Sequence, residues 1–411
     1  MMTILRAKAF DLKTFAQLAD WLAVGVAVSL PWSTSATGIL IVLWLVAVLP
    51  TLDAAAVRRE LATAAGGLPV LLWALAAVGM LWADVAWSER FGGLGGYNRL
   101  LVIPLLLAQF RRSAHGIRVL YGFFASASAV LLLSWAMVLF PGLPWRASGP
   151  GIPVKDYILQ SEDFVICAFV LFGLAFDDGR ARRWRSVVGL VALAVLFLAN
   201  VGFVATGRTT LLVAPVLVLL LGWRQFGWKG LLGAGLLGCI VGVTVSLESP
   251  SLRARLDISV NDFQAYWASD APNSTGLHLE FLRKSFSFVE TAPVIGHGTG
   301  SIAEQFRNAA VGQTGASSMA SVNPHNQILA VAIQLGVVGA AVLLAMWAAH
   351  FMLFRGGGST AWIGIIIVVQ NVVSSLVNSH LFDFTQGWLY VFGVGVAGGM
   401  ALRERAPAAK P

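Results

Sequence analysis

Charge is scarce in this chain. Only 12% of its 411 residues are Asp, Glu, Lys or Arg, and 57% are hydrophobic, whereas a soluble domain averages about one-quarter charged. Cysteine is nearly absent: Cys167 and Cys239 both lie inside apolar runs. That excludes a disulfide framework, and no Cys/His spacing fits a zinc site. No Asp-x-Asp pair stands in the connections that read as external, so no metal-diphosphate site is evident. No Gly-x-Ser-x-Gly elbow marks a serine nucleophile. The turn Gly296-His297-Gly298-Thr299-Gly300 has no βαβ context, so it is not a dinucleotide fingerprint. No cofactor is called for, and no sequence repeat is visible.

Long apolar runs fill the chain instead, and the mean hydropathy is +0.77. Several runs exceed about 18 residues, the length that crosses a bilayer as a helix. The pattern predicts an all-α polytopic membrane protein with about twelve transmembrane helices. They fall near 16–31, 34–50, 67–82, 98–110, 117–140, 159–176, 186–203, 209–223, 230–247, 325–352, 360–377 and 386–402. Residues 1–247 then hold nine spans, 248–324 form one large periplasmic segment containing amphipathic helices, and 325–411 hold three spans and a tail. Arg6, Lys8 and Lys13 precede a hydrophobic run that reads as a retained first span rather than a cleaved signal.

The formal net charge of +8 could point to nucleic acid, but its distribution does not. One set of connections collects Arg58, Arg59, Arg111, Arg112, Arg180, Arg182, Arg183, Arg224 and Arg355, and the C-terminus adds Arg403, Arg405 and Lys410. This is the positive-inside bias, with both termini cytoplasmic and the basic residues facing anionic lipid. Three external segments remain: Trp82–Arg99, with a glycine-rich stretch 92–96; Pro141–Gln160, with Arg146 and Lys155; and Glu248–Asn323. In the last, Gly276–Val289 reads as an amphipathic helix with Glu280, Arg283 and Lys284 toward water, and 309–321 reads as a mobile loop. Trp82, Trp87 and Trp388 fit an interfacial aromatic belt.

The stretch Val322-Asn323-Pro324-His325-Asn326-Gln327-Ile328-Leu329 opens an apolar run. Asn323 suits an N-cap and Pro324 the first helical position, which puts His325 in a first helical turn. A helix N-terminus disfavours the imidazolium, leaving a histidine able to accept a proton. The same stretch also fits a histidine that only caps a membrane helix. Arg208, in Ala205-Thr206-Gly207-Arg208-Thr209-Thr210, stands at a span mouth on the side poorer in positive charge. It fits a guanidinium reaching a phosphate, or one that only snorkels. Asn378, His380 and Asp383 read as a hydrogen-bonded turn before they read as catalytic groups.

Pro324-His325-Asn326-x-x-Leu329, preceded by the Gly-x-Gly-x-Gly turn, resembles the signature of the O-antigen ligase and polymerase superfamily. The resemblance implies a metal-independent, inverting glycosyltransferase of the inner membrane, with its site on the periplasmic face. The donor would be a polysaccharide on undecaprenyl diphosphate, and the acceptor lipid A-core. Membrane lipids would surround it, and nucleic acid would have no part. His325 would be the general base and Asn326 would position it or the acceptor. Arg208 would hold the diphosphate, and the family carries an arginine at the matching place. The family's second arginine falls at His278 here, and its usual aromatic near Leu282 is missing. Arg283, Lys155, Arg253 or Arg255 would then supply the charge. An O-antigen polymerase and a protein O-oligosaccharyltransferase share this pattern. A transporter of lipid-linked sugar would place its polar groups nearer the bilayer midplane.

Overall fold

The computed structural model describes residues 12–145, 148–248 and 250–405. Arg6, Lys8, Arg146 and Lys410 lie outside them, as does the side chain of Arg255. The described residues form helices and turns with no named strand: α1 (Leu12–Ser29), α2 (Thr34–Val48), α3 (Ala54–Leu61), α4 (Ala64–Gly79), α5 (Trp87–Asn98), α6 (Val102–Arg112), α7 (Gly116–Leu139), α8 (Tyr157–Arg180), α9 (Trp184–Phe203), α10 (Arg208–Glu248), α11 (Pro250–Ser269), α12 (Ser274–Thr291), α13 (Ile302–Ala310), α14 (Gln327–Leu353), α15 (Ser359–Ser374) and α16 (Phe384–Glu404).

Seven helical units among these residues are long and apolar enough to cross a membrane, or eight if α3 and α4, bent by 85°, make one span. This is the architecture of a multi-pass membrane protein. Every segment expected as a span falls on helix, but the count of twelve goes beyond what length and apolarity alone establish. Gly227, at φ 62°, breaks α10 between the two apolar runs read there. The halves fold back on each other, with Gly222 against Gly230 and Gly238 beside Val218.

Several polar groups inside the bundle are paired, as an apolar setting favours. The Trp44 indole donates to Gln109 Oε1 at 2.9 Å, and Gln109 Nε2 donates to Asp20 at 2.8 Å. Buried Glu60 meets Arg111 at 3.0 Å. Toward the same end, Arg224 reaches the Gly358 carbonyl and Arg405 the Leu353 carbonyl.

The glycine-rich stretch 92–96 is not a loop. It is helical, within α5. A methyl group at Gly93 would strike the backbone of Gly300, and one at Gly96 the ring of Phe382. Glycine there permits close helix packing rather than a turn. The Gly296–Gly300 turn serves the same purpose from the other side. Its three glycines have φ of 66°, 88° and 95°, a region that L-residues avoid. The turn crosses a break in α14 at Gly336 (φ 62°). There the N–H groups of His297 and Gly298 donate to the carbonyls of Ile333 and Gln334 at 2.8 and 2.9 Å. In return, Val337 N–H donates to Pro293 at 2.8 Å. The 293–300 strap therefore satisfies backbone groups that the broken helix leaves open.

The segment between α10 and α14 has its own small core of Phe281, Phe288, Ile302 and Phe306 against Ala330 and Ile333. Two expectations change here. Glu280 and Lys284 do not face water; they are 1% and 5% exposed. The stretch 309–321 folds over α12, where the Lys284 ammonium donates to the Ser317 carbonyl at 2.5 Å. Asp270 Oδ2 accepts from Ser317 N–H at 3.2 Å, and a 3₁₀ turn runs from Gly315 to Ser318. Only Arg283 of that trio points outward.

Candidate active site

His325 is not in the first turn of α14. It precedes the helix, at φ 54°. A non-glycine residue in the left-handed region costs about 1 kcal/mol or more, so the surroundings must hold it there. Asn323 does so. Its Oδ1 accepts from His325 N–H at 2.9 Å and from the Ser379 hydroxyl at 2.7 Å, while its Nδ2 donates to Asn378 Oδ1 at 2.9 Å. The cap of α14 is Asn326, whose Oδ1 accepts from Leu329 N–H at 3.0 Å. Its Nδ2 donates to the Leu376 carbonyl at 3.0 Å. Two asparagines flank Pro324-His325, and either suits a cap. The nearer one to the apolar run takes it, and the other makes an Asx-type turn.

The imidazole of His325 is half-buried among aromatic rings. Its centroid is 4.2 Å from His278, inclined by 59°, and 5.9 Å from Phe281, nearly parallel at 9°. A side-chain hydrogen bond joins it to Asn378. Burial lowers its pKa and the Asn378 bond opposes that, so the ring is neutral and basic at one nitrogen. Desolvation, rather than the helix dipole, is the main cause. The aromatic missing near Leu282 is supplied one position earlier, by Phe281.

His278 sits near the start of α12, whose cap is Asn273 (Gly276 N–H to Oδ1, 2.8 Å). Its pKa falls to about 4, through burial first, then His325, then Arg208. Arg208 begins α10, is exposed, and donates to Ser274 Oγ at 3.2 Å. The starts of α10, α12 and α14 thus meet around Arg208, His278 and His325. Free N–H groups at such termini favour anions.

Of the other predicted cations, Arg283 and Lys155 are engaged elsewhere. Arg283 pairs with Glu280 at 2.6 Å, and Glu280 also accepts from Tyr266 at 2.9 Å. Lys155, at φ 52°, turns its ammonium to the Leu30 carbonyl and to Thr385 Oγ1, the latter at 2.9 Å. Burial lowers its pKa, with Asp163 and Asp156 opposing. Arg253 is exposed on α11. Arg99 clasps the turn before α16 through the carbonyls of Phe382, at 3.0 Å, and Asp383.

One residue read as part of a turn and one that escaped the sequence reading belong here. Asn378, weighed there as structural, touches His325. Glu162, 1% exposed on α8, lies 3.2 Å from His380 Nε2. The Glu162-Asp163 pair, two carboxylates at the mouth of an apolar run, was the available signal.

A multi-pass membrane protein with a neutral histidine beside an exposed arginine at the mouth of its bundle is equipped to remove a proton next to an anion. Residues 193–344 match the family model described as O-antigen ligase. The match supports the O-antigen ligase superfamily, a family of ligase- or polymerase-type glycosyl transfer acting on lipid-linked polysaccharide. The matched stretch contains Arg208, His278, Arg283, His325 and Asn326. No curated protein matches the chain.

Proposed function

We propose that this protein is an O-antigen ligase of the bacterial inner membrane, acting on the periplasmic face. The observation that carries the reading is the neutral His325 imidazole, tethered by Asn378, beside His278 and the arginine-bearing start of α10. The acceptor hydroxyl of lipid A-core gives its proton to the free ring nitrogen of His325. Its oxygen bonds to the anomeric carbon of the polysaccharide. The carbon–oxygen bond to undecaprenyl diphosphate breaks, and the diphosphate leaves with the electron pair. Single displacement inverts the anomeric centre.

Arg208 meets the departing diphosphate with a planar fork suited to phosphate. The N-terminal N–H groups of α10 and α12 add to that stabilisation without a metal. Asn326 acts through the backbone, by starting α14 directly after His325. Arg283 and Lys155 contribute at longer range, because each already has a partner.

The test uses purified protein in bilayers with undecaprenyl-diphosphate-linked polysaccharide and an acceptor. Polysaccharide should appear on lipid A-core, with the anomeric centre inverted. Transfer only to a pilin-like protein, or only to the growing polysaccharide, would replace the ligase reading with the corresponding relative.

A further inference from the structure

Beneath His325 lies a second set of ionisable groups. Asn378, hydrogen-bonded to His325, donates through Nδ2 to Asp383 Oδ2 at 3.3 Å. The same Asp383 oxygen is 3.4 Å from His380 Nδ1, and His380 Nε2 is 3.2 Å from Glu162 Oε1. His380 and Glu162 are each 1% exposed. Neither ring nitrogen of His380 nor either oxygen of Glu162 has an aligned hydrogen bond among the described residues.

A buried nitrogen and oxygen this close are tolerated only with a proton between them, because two facing lone pairs repel. Two such gaps flank His380. If the ring carries both protons, the carboxylates are both ionised. If it carries one, one carboxyl is protonated. Either way the set Glu162, His380 and Asp383 bears one negative charge. Burial and the field of His325 hold the His380 pKa down to about 4, which favours the second arrangement. Around the set stand Asp156 and Asp163, Lys155 beside Asp163, and Arg99 on the turn of Asp383. Around His325 stand His278 and, beyond it, Arg208.

We propose that Glu162, His380 and Asp383 form a buried, singly negative unit that acts through Asn378 to orient His325 and to stabilise the imidazolium formed when it takes the acceptor's proton. This rests on the base role of His325 in the proposed function. None of the three touches substrate, so they are positioning residues. Carboxylates serve other catalytic histidines in this way.

The experiment measures carbethoxylation of His325 by diethyl pyrocarbonate against pH, peptide by peptide, in the purified full-length protein. The reagent attacks only neutral imidazole, so the rate profile gives the protonation midpoint of His325 without any substrate. In Asp383→Asn the midpoint should fall by about half a unit to one unit, the range for losing one nearby buried charge. Glu162→Asp should keep it near wild type. The acid limb of kcat/KM for transfer should move down with the midpoint, with KM for the lipid-linked donor unchanged. If Asp383→Asn does not fold, Asp383→Ser removes the same charge and should shift the midpoint the same way. Identical midpoints in wild type and the charge-removing variants would overturn the proposal, as would an equal shift in Glu162→Asp. Absence of glycosyl transfer by wild type would instead overturn the ligase reading, while the midpoint shift would still stand.

Discussion

The rings of His278 and His325 lie 4.2 Å apart, too close for both to be cations at once. The resting pair is therefore two neutral imidazoles, with Arg208 as the standing positive charge beside them. A diphosphate changes that balance. It would raise the His278 pKa, but the proton taken up by the proposed base His325 requires His278 to be neutral in that step.

His325→Ala should reduce transfer by at least about a hundredfold, the usual scale for a general base. Abundance and melting temperature should stay near wild type, because the backbone there is fixed by Asn323 rather than by the imidazole. Comparable transfer by wild type and by folded His325→Ala would remove His325 from the chemistry.

Arg208→Ala should be severely impaired and Arg208→Lys nearly as poor, since an ammonium lacks the two-pronged geometry of guanidinium. Arg208 is exposed and bonds only weakly to Ser274, so stability should change by less than about 0.5 kcal/mol. Full activity in Arg208→Lys would mean that charge alone suffices.

Arg283 and Lys284 should separate cleanly. Arg283→Ala leaves buried Glu280 with Tyr266 and should lower transfer far less than Arg208→Ala. Lys284→Ala leaves the Ser317 carbonyl without its ammonium donor and should destabilise by roughly 1–3 kcal/mol. Thermal unfolding and initial rates measure the two effects. An Arg283→Ala protein that folds but cannot use donor would place the diphosphate on Arg283.

The membrane character and the helix positions could be anticipated because hydropathy is a local property; the grouping of Arg208, His278 and His325 in one site was implied only by the resemblance to the superfamily. The cap of α14 could not be assigned, because Asn323 and Asn326 have the same chemistry; only the contact of Asn323 with Ser379 and Asn378 decides between them. Lys284 read as solvated because helical periodicity cannot see a loop returning from residue 317. The helical use of glycines 92–96, which read only as a glycine-rich stretch of an external segment, could not be foreseen because it depends on Gly300 and Phe382, far away in the chain. Glu162 and His380 are 218 positions apart, and nothing local pairs them.

The acid stability of the protein provides a further test. In the folded state the His278 pKa is depressed to about 4, whereas an unfolded histidine titrates near 6.5. Between those values the unfolded chain binds a proton that the folded site refuses. The contribution of His278 to stability is therefore fully present above about pH 6.5 and is lost as pH falls toward 4. Asp383 works the other way, because burial lifts its pKa to about 6; it remains in both proteins compared, as does His380. His278→Gln should accordingly lose less melting temperature than wild type between pH 7 and 5. Undecaprenyl diphosphate bound at Arg208 would raise the His278 pKa, so added lipid should flatten the wild-type decline and leave the slope of His278→Gln unchanged. Parallel slopes with and without lipid in both proteins would mean that the diphosphate does not sit beside His278.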